Sequence, residues 1–107
     1  MTLNQIYHQD TLTLGFHALS DNIRLQVLSL LRTKELCVCE ITQILNIPQS
    51  KLSFHLKTLR ESNLVNCRQE GRWTYYSLNL SQLVILEQYL ADIRRSTVLA
   101  PARLCED

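Results

Sequence analysis

Between Val38 and Leu59 two short runs of helically spaced apolar residues are separated by Asn46-Ile47-Pro48, and this break constrains the fold more than any other segment. Ile41, Ile44 and Leu45 make the first stripe; Leu52, Leu56 and Leu59, at i, i+4 and i+7, make the second. Proline at the start of a helix costs no hydrogen bond, while the residue before it is pushed out of the helical region. One continuous helix is therefore excluded, and the spacing predicts two helices joined by a tight turn, the second starting near Pro48. On that second helix Ser50, Phe54, Lys57 and Glu61 project away from the stripe, so one side packs and the other is presented to solvent or a partner.

The flanking segments complete a small domain. Leu12, Phe16 and Leu19 predict a short helix over Asp10 to Leu19, and Ser20 or Asp21 can cap the next. From Asn22 to Thr33 a broad stripe of Ile23, Val27, Leu28, Leu30 and Leu31 predicts a core helix, with Arg24 and Arg32 outside the stripe. Residues Leu64–Arg68 and Trp73–Leu78 are β-prone and flank a Gln69-Glu70-Gly71-Arg72 turn, which predicts a hairpin with a charged tip. Over Leu80 to Val98, Leu83, Leu86, Leu90 and Ile93 form a narrow 3-4-3 seam suited to pairing with a second copy, which predicts a homodimer interface joined by the first helix. The expected fold is mainly α with a small β-hairpin: a winged helix-turn-helix of about five helices and a two-stranded wing. Residues 1–98 would be the DNA-binding and dimerisation domain and 99–107 a tail, since 107 residues suit one domain.

The net charge of +1 conceals an uneven distribution: residues 51–72 carry five Lys/Arg against two Asp/Glu, and each flanking segment is one charge negative. Positive charge thus gathers on the second helix and the hairpin, where a polyanion would dock. In a winged helix-turn-helix the second helix enters the major groove and the wing reaches neighbouring backbone. Gln49, Ser50, Lys51, Ser53 and Lys57 are the candidate contacts to bases and phosphates. Phe54 would meet a thymine methyl or pack against the wing. His55 lies near the packed side, as a structural histidine or a base reader. Arg68, Arg72 and Trp73 are the candidate wing contacts. No paired acid and base or activated nucleophile is visible, which argues against an enzyme. No apolar run approaches the roughly 20 residues that span a bilayer, and Met1-Thr2-Leu3-Asn4-Gln5 is not a basic leader, so a cytoplasmic protein with no membrane partner is expected.

Cys37 and Cys39 put two soft thiols one residue apart at an expected helix start. A Cys-x-Cys pair does not readily close a relaxed disulfide. On a regular helix residues i and i+2 point about 200° apart, so both sulfurs face one ion only where the backbone is extended or distorted. Free amides at a helix start favour thiolate, the form that binds soft ions. The alternative is a pair of small buried apolar residues.

The succession Glu35-Leu36-Cys37-Val38-Cys39-Glu40-Ile41, Gln49-Ser50-Lys51-Leu52-Ser53-Phe54-His55-Leu56-Lys57-Thr58-Leu59-Arg60, Leu64-Val65 and Glu70-Gly71-Arg72-Trp73-Thr74-Tyr75-Tyr76-Ser77-Leu78 resembles the ArsR/SmtB family of metal-responsive transcriptional repressors over about residues 15 to 95. The resemblance implies a homodimer that represses an operon from double-stranded operator DNA until a metal or metalloid releases it. It also implies that Cys37 and Cys39 correspond to the arsenite and antimonite site of the arsenic-responsive members, with cadmium and lead as alternative inducers and no cofactor needed for DNA binding. In the best-known version a third cysteine follows, where this chain has Thr42. Cys105, Cys67 on a strand face expected to be buried, or a small-molecule thiol would complete the shell, with Cys105 favoured over Cys67; otherwise the site has no third protein ligand and is two-coordinate. The family's zinc site on the last helix is not matched, because Glu87 and Asp92 stand there without histidine; the histidines are His8, His17 and His55. A redox-responsive repressor, or a thiol metal-handling or protein-interaction module without DNA, are the remaining alternatives.

Overall fold

The computed structural model describes residues 9–105; His8 and the last two residues of the tail lie outside the described residues. The elements run α1 (Gln9–Ala18), α2 (Asn22–Leu30), β1 (Leu36–Cys37), α3 (Val38–Leu45), α4 (Gln49–Glu61), β2 (Val65–Glu70), β3 (Trp73–Leu78) and α5 (Leu80–Ser96). Five helices and one antiparallel sheet of order β1-β3-β2 are thus present among the described residues, a winged helix-turn-helix. None of these helices is long and apolar enough to cross a membrane.

Val27, Ile41, Leu52, Leu56, Leu59 and Leu64 are fully enclosed, so the core forms where α2, α3 and α4 meet. The break between α3 and α4 is made as the sequence predicts. Asn46 ends α3 in the left-handed region at φ 53°, which asparagine tolerates better than most residues. Pro48 then sits at the N-cap of α4, extended at φ −61° and ψ 145°, one position before the first helical residue. Asp21 caps α2 by accepting the amides of Ile23 at 2.8 Å and Arg24 at 3.2 Å. Partial desolvation raises the Asp21 carboxyl, but those two amides, with the Arg24 guanidinium nearby, outweigh it and hold the group below its ordinary value.

The hairpin is paired through Glu70↔Trp73: β3 spans Trp73–Leu78 as expected, whereas β2 runs two residues closer to the tip and leaves Gly71-Arg72 as a two-residue loop. Gly71 takes φ 61° at the first loop position, where glycine suits the twist of a tight hairpin. A third strand, β1, adds to the two-stranded wing: Leu36 pairs with Tyr76 and Cys37 with Tyr75.

Two expectations are corrected. Arg24 does not lie outside the packed face of α2 but is buried, with its guanidinium spent on α1 and α4. The expected seam on the last helix is split: Leu86 is buried inside the chain, whereas Leu90 and Ile93 are exposed. Leu86 turns inward because α1 approaches at Gly15, where an added Cβ would stand 2.7 Å from Leu86 Cδ2. Phe16 and Tyr89 meet beside it with ring centroids 6.0 Å apart. The exposed apolar side chains of α5 are Leu80, Val84, Leu90 and Ile93, a different strip from the one predicted.

Candidate thiol and nucleic-acid site

Cys37 is the last residue of β1 and the N-cap of α3, extended at φ −84° and ψ 162°, while Cys39 lies in the first turn of the helix. The expected helix start is thus placed one residue later than the first cysteine: Cys37 is extended and only Cys39 is helical. Cys37 is buried and Cys39 exposed, and both are free thiols. Glu40 accepts the Cys37 amide at 3.1 Å. That amide, then the Cys37 side chain, and more weakly Lys34, hold the Glu40 carboxyl below its ordinary value against a desolvation that opposes them. This is one half of a capping box, and the signal that could have revealed it is a glutamate three residues after the N-cap. Thr42, standing where the resemblance has a third thiol, donates its hydroxyl to the Cys39 carbonyl at 2.8 Å.

Both cysteines line a single cleft of about 260 Å³ with Val38, Thr42, Gln49, Arg72, Trp73 and Thr74. The thiols, the first residue of α4 and the tip of the wing therefore share one wall-to-wall space. Within the described residues no group of three or more His, Cys, Asp and Glu is placed to hold an ion. Strand alternation removes Cys67 as a third ligand within the protomer. Cys67 opposes Tyr76, which opposes Leu36, so these three share one face of the sheet, and Cys37, the neighbour of Leu36, faces the other way. Cys67 is also exposed, not buried as expected from Val65, because it lies at the outer strand beyond the core. Cys105 is exposed on the tail, whose described residues carry no helix or strand after α5.

Along α4, Gln49, Ser50, Lys51, Ser53, Phe54 and Lys57 are all exposed, opposite the buried Leu52, Leu56 and Leu59. Phe54 is 63% exposed and meets the His55 ring edge-on at 5.3 Å, so it does not pack against the wing. His55 belongs to the inner side and is withdrawn as a base contact. Its Nδ1 lies 3.0 Å from Arg24 Nη1 and 3.8 Å from Asp21 Oδ1. Because a guanidinium only donates, Nδ1 accepts and the ring proton sits on Nε2. On the wing, Arg72 stacks over Trp73 at 5.6 Å and makes no ion pair among the described residues. Arg68 is different: it bonds Glu35 and Glu70, which push its guanidinium to still higher basicity and hold the Glu35 carboxyl below its ordinary value.

Residues 21–66 match the profile of the arsR family of bacterial regulatory proteins. Over 65 residues the chain is 45% identical to the arsenical resistance operon repressor of Bacillus subtilis (strain 168), covering 60% of this chain and 62% of that one. Over 78 residues it is 38% identical to the arsenical resistance operon repressor of Staphylococcus aureus, covering 73% and 75%. Other curated relatives are matched over as little as 51% of their length. Among solved structures, an ArsR family transcriptional regulator superposes with a TM-score of 0.77 at 21% identity, covering 83% of this chain and 92% of that one.

Proposed function

The chain belongs to the arsR family of bacterial regulatory proteins, and from that premise we propose that it is a homodimeric DNA-binding repressor released by a trivalent metalloid, arsenite or antimonite, held on Cys37 and Cys39. Its relatives and its fold are those of transcriptional regulators, not of enzymes. The observation that carries the reading is the cleft in which both thiols adjoin Gln49 of α4 and Arg72 and Trp73 of the wing. An inducer bound by the thiols occupies the space between the two elements that would grip DNA.

The donor set suits a soft ion. Each thiol gives up its proton as its sulfur bonds the ion, and each displaces one hydroxide as water. Cys37 then no longer donates to Glu40, so the cap of α3 keeps the backbone amide alone. The same sulfur is fixed in β1 next to Tyr75, and Cys39 in the first turn of α3, so closing both onto one ion shifts the start of α3 against β3. Gln49 and the wing tip border that movement. Release needs only a coupling of about 1–3 kcal/mol, a 5- to 150-fold loss of affinity. The third position is open to Cys105 of either protomer or to a small-molecule thiol.

The DNA face comprises Gln49, Ser50, Lys51, Ser53, Phe54 and Lys57 on α4 with Arg72 and Trp73 on the wing. In a gel shift on the DNA upstream of this chain's coding sequence, arsenite and antimonite are expected to release the protein at lower concentration than cadmium or lead, with zinc without effect. Release by cadmium or lead alone would replace the metalloid with those ions. Release by mild peroxide, with a disulfide seen by mass spectrometry and no response to arsenite, would make the protein a redox-responsive repressor. Binding no tighter than to random DNA at moderate salt would leave a thiol or interaction module.

A further inference from the structure

The wing carries two arginines, and they are placed for different work. In the sheet, Cys37, Tyr75 and Arg68 form one row across β1, β3 and β2, so their side chains share a face. Glu35, two residues before Cys37 in the chain leading into β1, reaches the same side. The Arg68 guanidinium lies over the Tyr75 ring, 4.6 Å from its centroid. From there Nε meets Glu35 Oε2 at 3.0 Å and Oε1 at 3.1 Å, Nη2 bonds Oε1 as well, and Nη1 reaches Glu70 Oε2 at 2.7 Å. One side chain thus crosses the middle strand and spans two strand spacings, about 9.5 Å. Planar, bidentate pairing gives this contact a direction as well as attraction.

Two carboxylates around one guanidinium leave the spot with a net negative charge, which is a poor seat for a DNA phosphate. Arg72, at the tip and without an ion pair among the described residues, has no such opposition. We propose that Arg68 is a positioning residue that braces the outer wing strand to the strand bearing Cys37, so that movement at the thiol site is passed to the wing. It contacts neither DNA nor inducer. The proposal rests on the reading of Cys37 and Cys39 as the inducer site, and it adds the mechanical link from that site to β2.

The test uses the full chain and a fluorescent duplex of its upstream DNA, with anisotropy read across a salt series, with and without arsenite, for wild type, Arg68→Gln, Glu35→Gln and Arg72→Gln. A lost phosphate contact lowers the slope of log affinity against log salt by about 0.9. Arg72→Gln is expected to show that loss, whereas Arg68→Gln and Glu35→Gln keep the wild-type slope. Both brace variants are expected to bind arsenite with unchanged thiol stoichiometry, yet to lose at least about threefold of the arsenite-driven drop in DNA affinity, within the range such couplings cover. A slope lowered by about 0.9 in Arg68→Gln, together with tighter DNA binding by Glu35→Gln, would overturn the proposal, because freeing the arginine would then help it reach a phosphate. A wild-type protein that binds DNA but ignores arsenite would sink the inducer reading, and the salt slopes would still decide where Arg68 acts.

Discussion

Replacing Arg24 with alanine is expected to lower the unfolding free energy by about 3 kcal/mol, a large part of the roughly 5–15 kcal/mol that holds a domain of this size. The side chain is only 5% exposed, and its three nitrogens join three helices. Nε donates at 2.8 Å to the Ala18 carbonyl, an oxygen that the end of α1 leaves without a helical partner, and Nη2 reaches at 3.3 Å the His17 carbonyl, which Ser20 also meets. Nη1 holds His55 of α4. Truncation strands the Ala18 oxygen and His55 Nδ1 in the interior and opens a void the size of the lost stem. Denaturant unfolding measures the loss. Arg24→Ala/His55→Leu should cost less than the two single changes added together, since the imidazole no longer seeks a donor. Strict additivity would mean that the Arg24–His55 contact contributes nothing.

Arg24 also shows where reading the sequence falls short. A charged residue beside an apolar stripe is assigned to solvent by default, and nothing local shows that two helix-terminal carbonyls and an imidazole will gather around it. The features that were legible are those fixed by neighbours in sequence: the stripe of α4, the interruption at Asn46 to Pro48, the hairpin and the exposed face of α4; on α3 only Ile41 is buried, and Ile44 is exposed. The strand β1 was not, because Leu36 and Cys37 are two residues long and are extended only through pairing with β3. That omission mattered for the site, since it made the cysteines look like a strained helix start when one of them lies in a strand. The split of the Leu83, Leu86, Leu90 and Ile93 seam has a similar origin. A 3-4-3 spacing reports an apolar face, not which partner covers it, and α1 claims Leu86 through Gly15. Cys67 was misjudged because alternation from Val65 says which face it shares but not how far the core extends.

Reversing the charge of both lysines on the exposed face of α4, Lys51→Glu/Lys57→Glu, is expected to weaken binding to the upstream DNA by on the order of 100-fold or more at about 0.1 M salt, and to lower the salt slope by about 2. Lys57 has a loose partner, Glu61 at 4.0 Å, and both lysines are exposed, so neither contributes to the core. The unfolding free energy should therefore stay within about 0.5 kcal/mol of wild type. Loss of DNA binding in a stable protein would identify this face of α4 as the recognition surface. Retained affinity with an unchanged slope would move the recognition surface elsewhere.

Cys37 and Cys39 are expected to release the protein from DNA without taking part in binding it. Arsenite titration of the preformed complex, followed by anisotropy for wild type and Cys37→Ser/Cys39→Ser, tests it most directly. The expected result is equal DNA affinity for the two proteins before arsenite, a fall of 5-fold or more for wild type, and no change for the serine variant. Equal release of both by arsenite would contradict the account, because the inducer would then be acting at some other site.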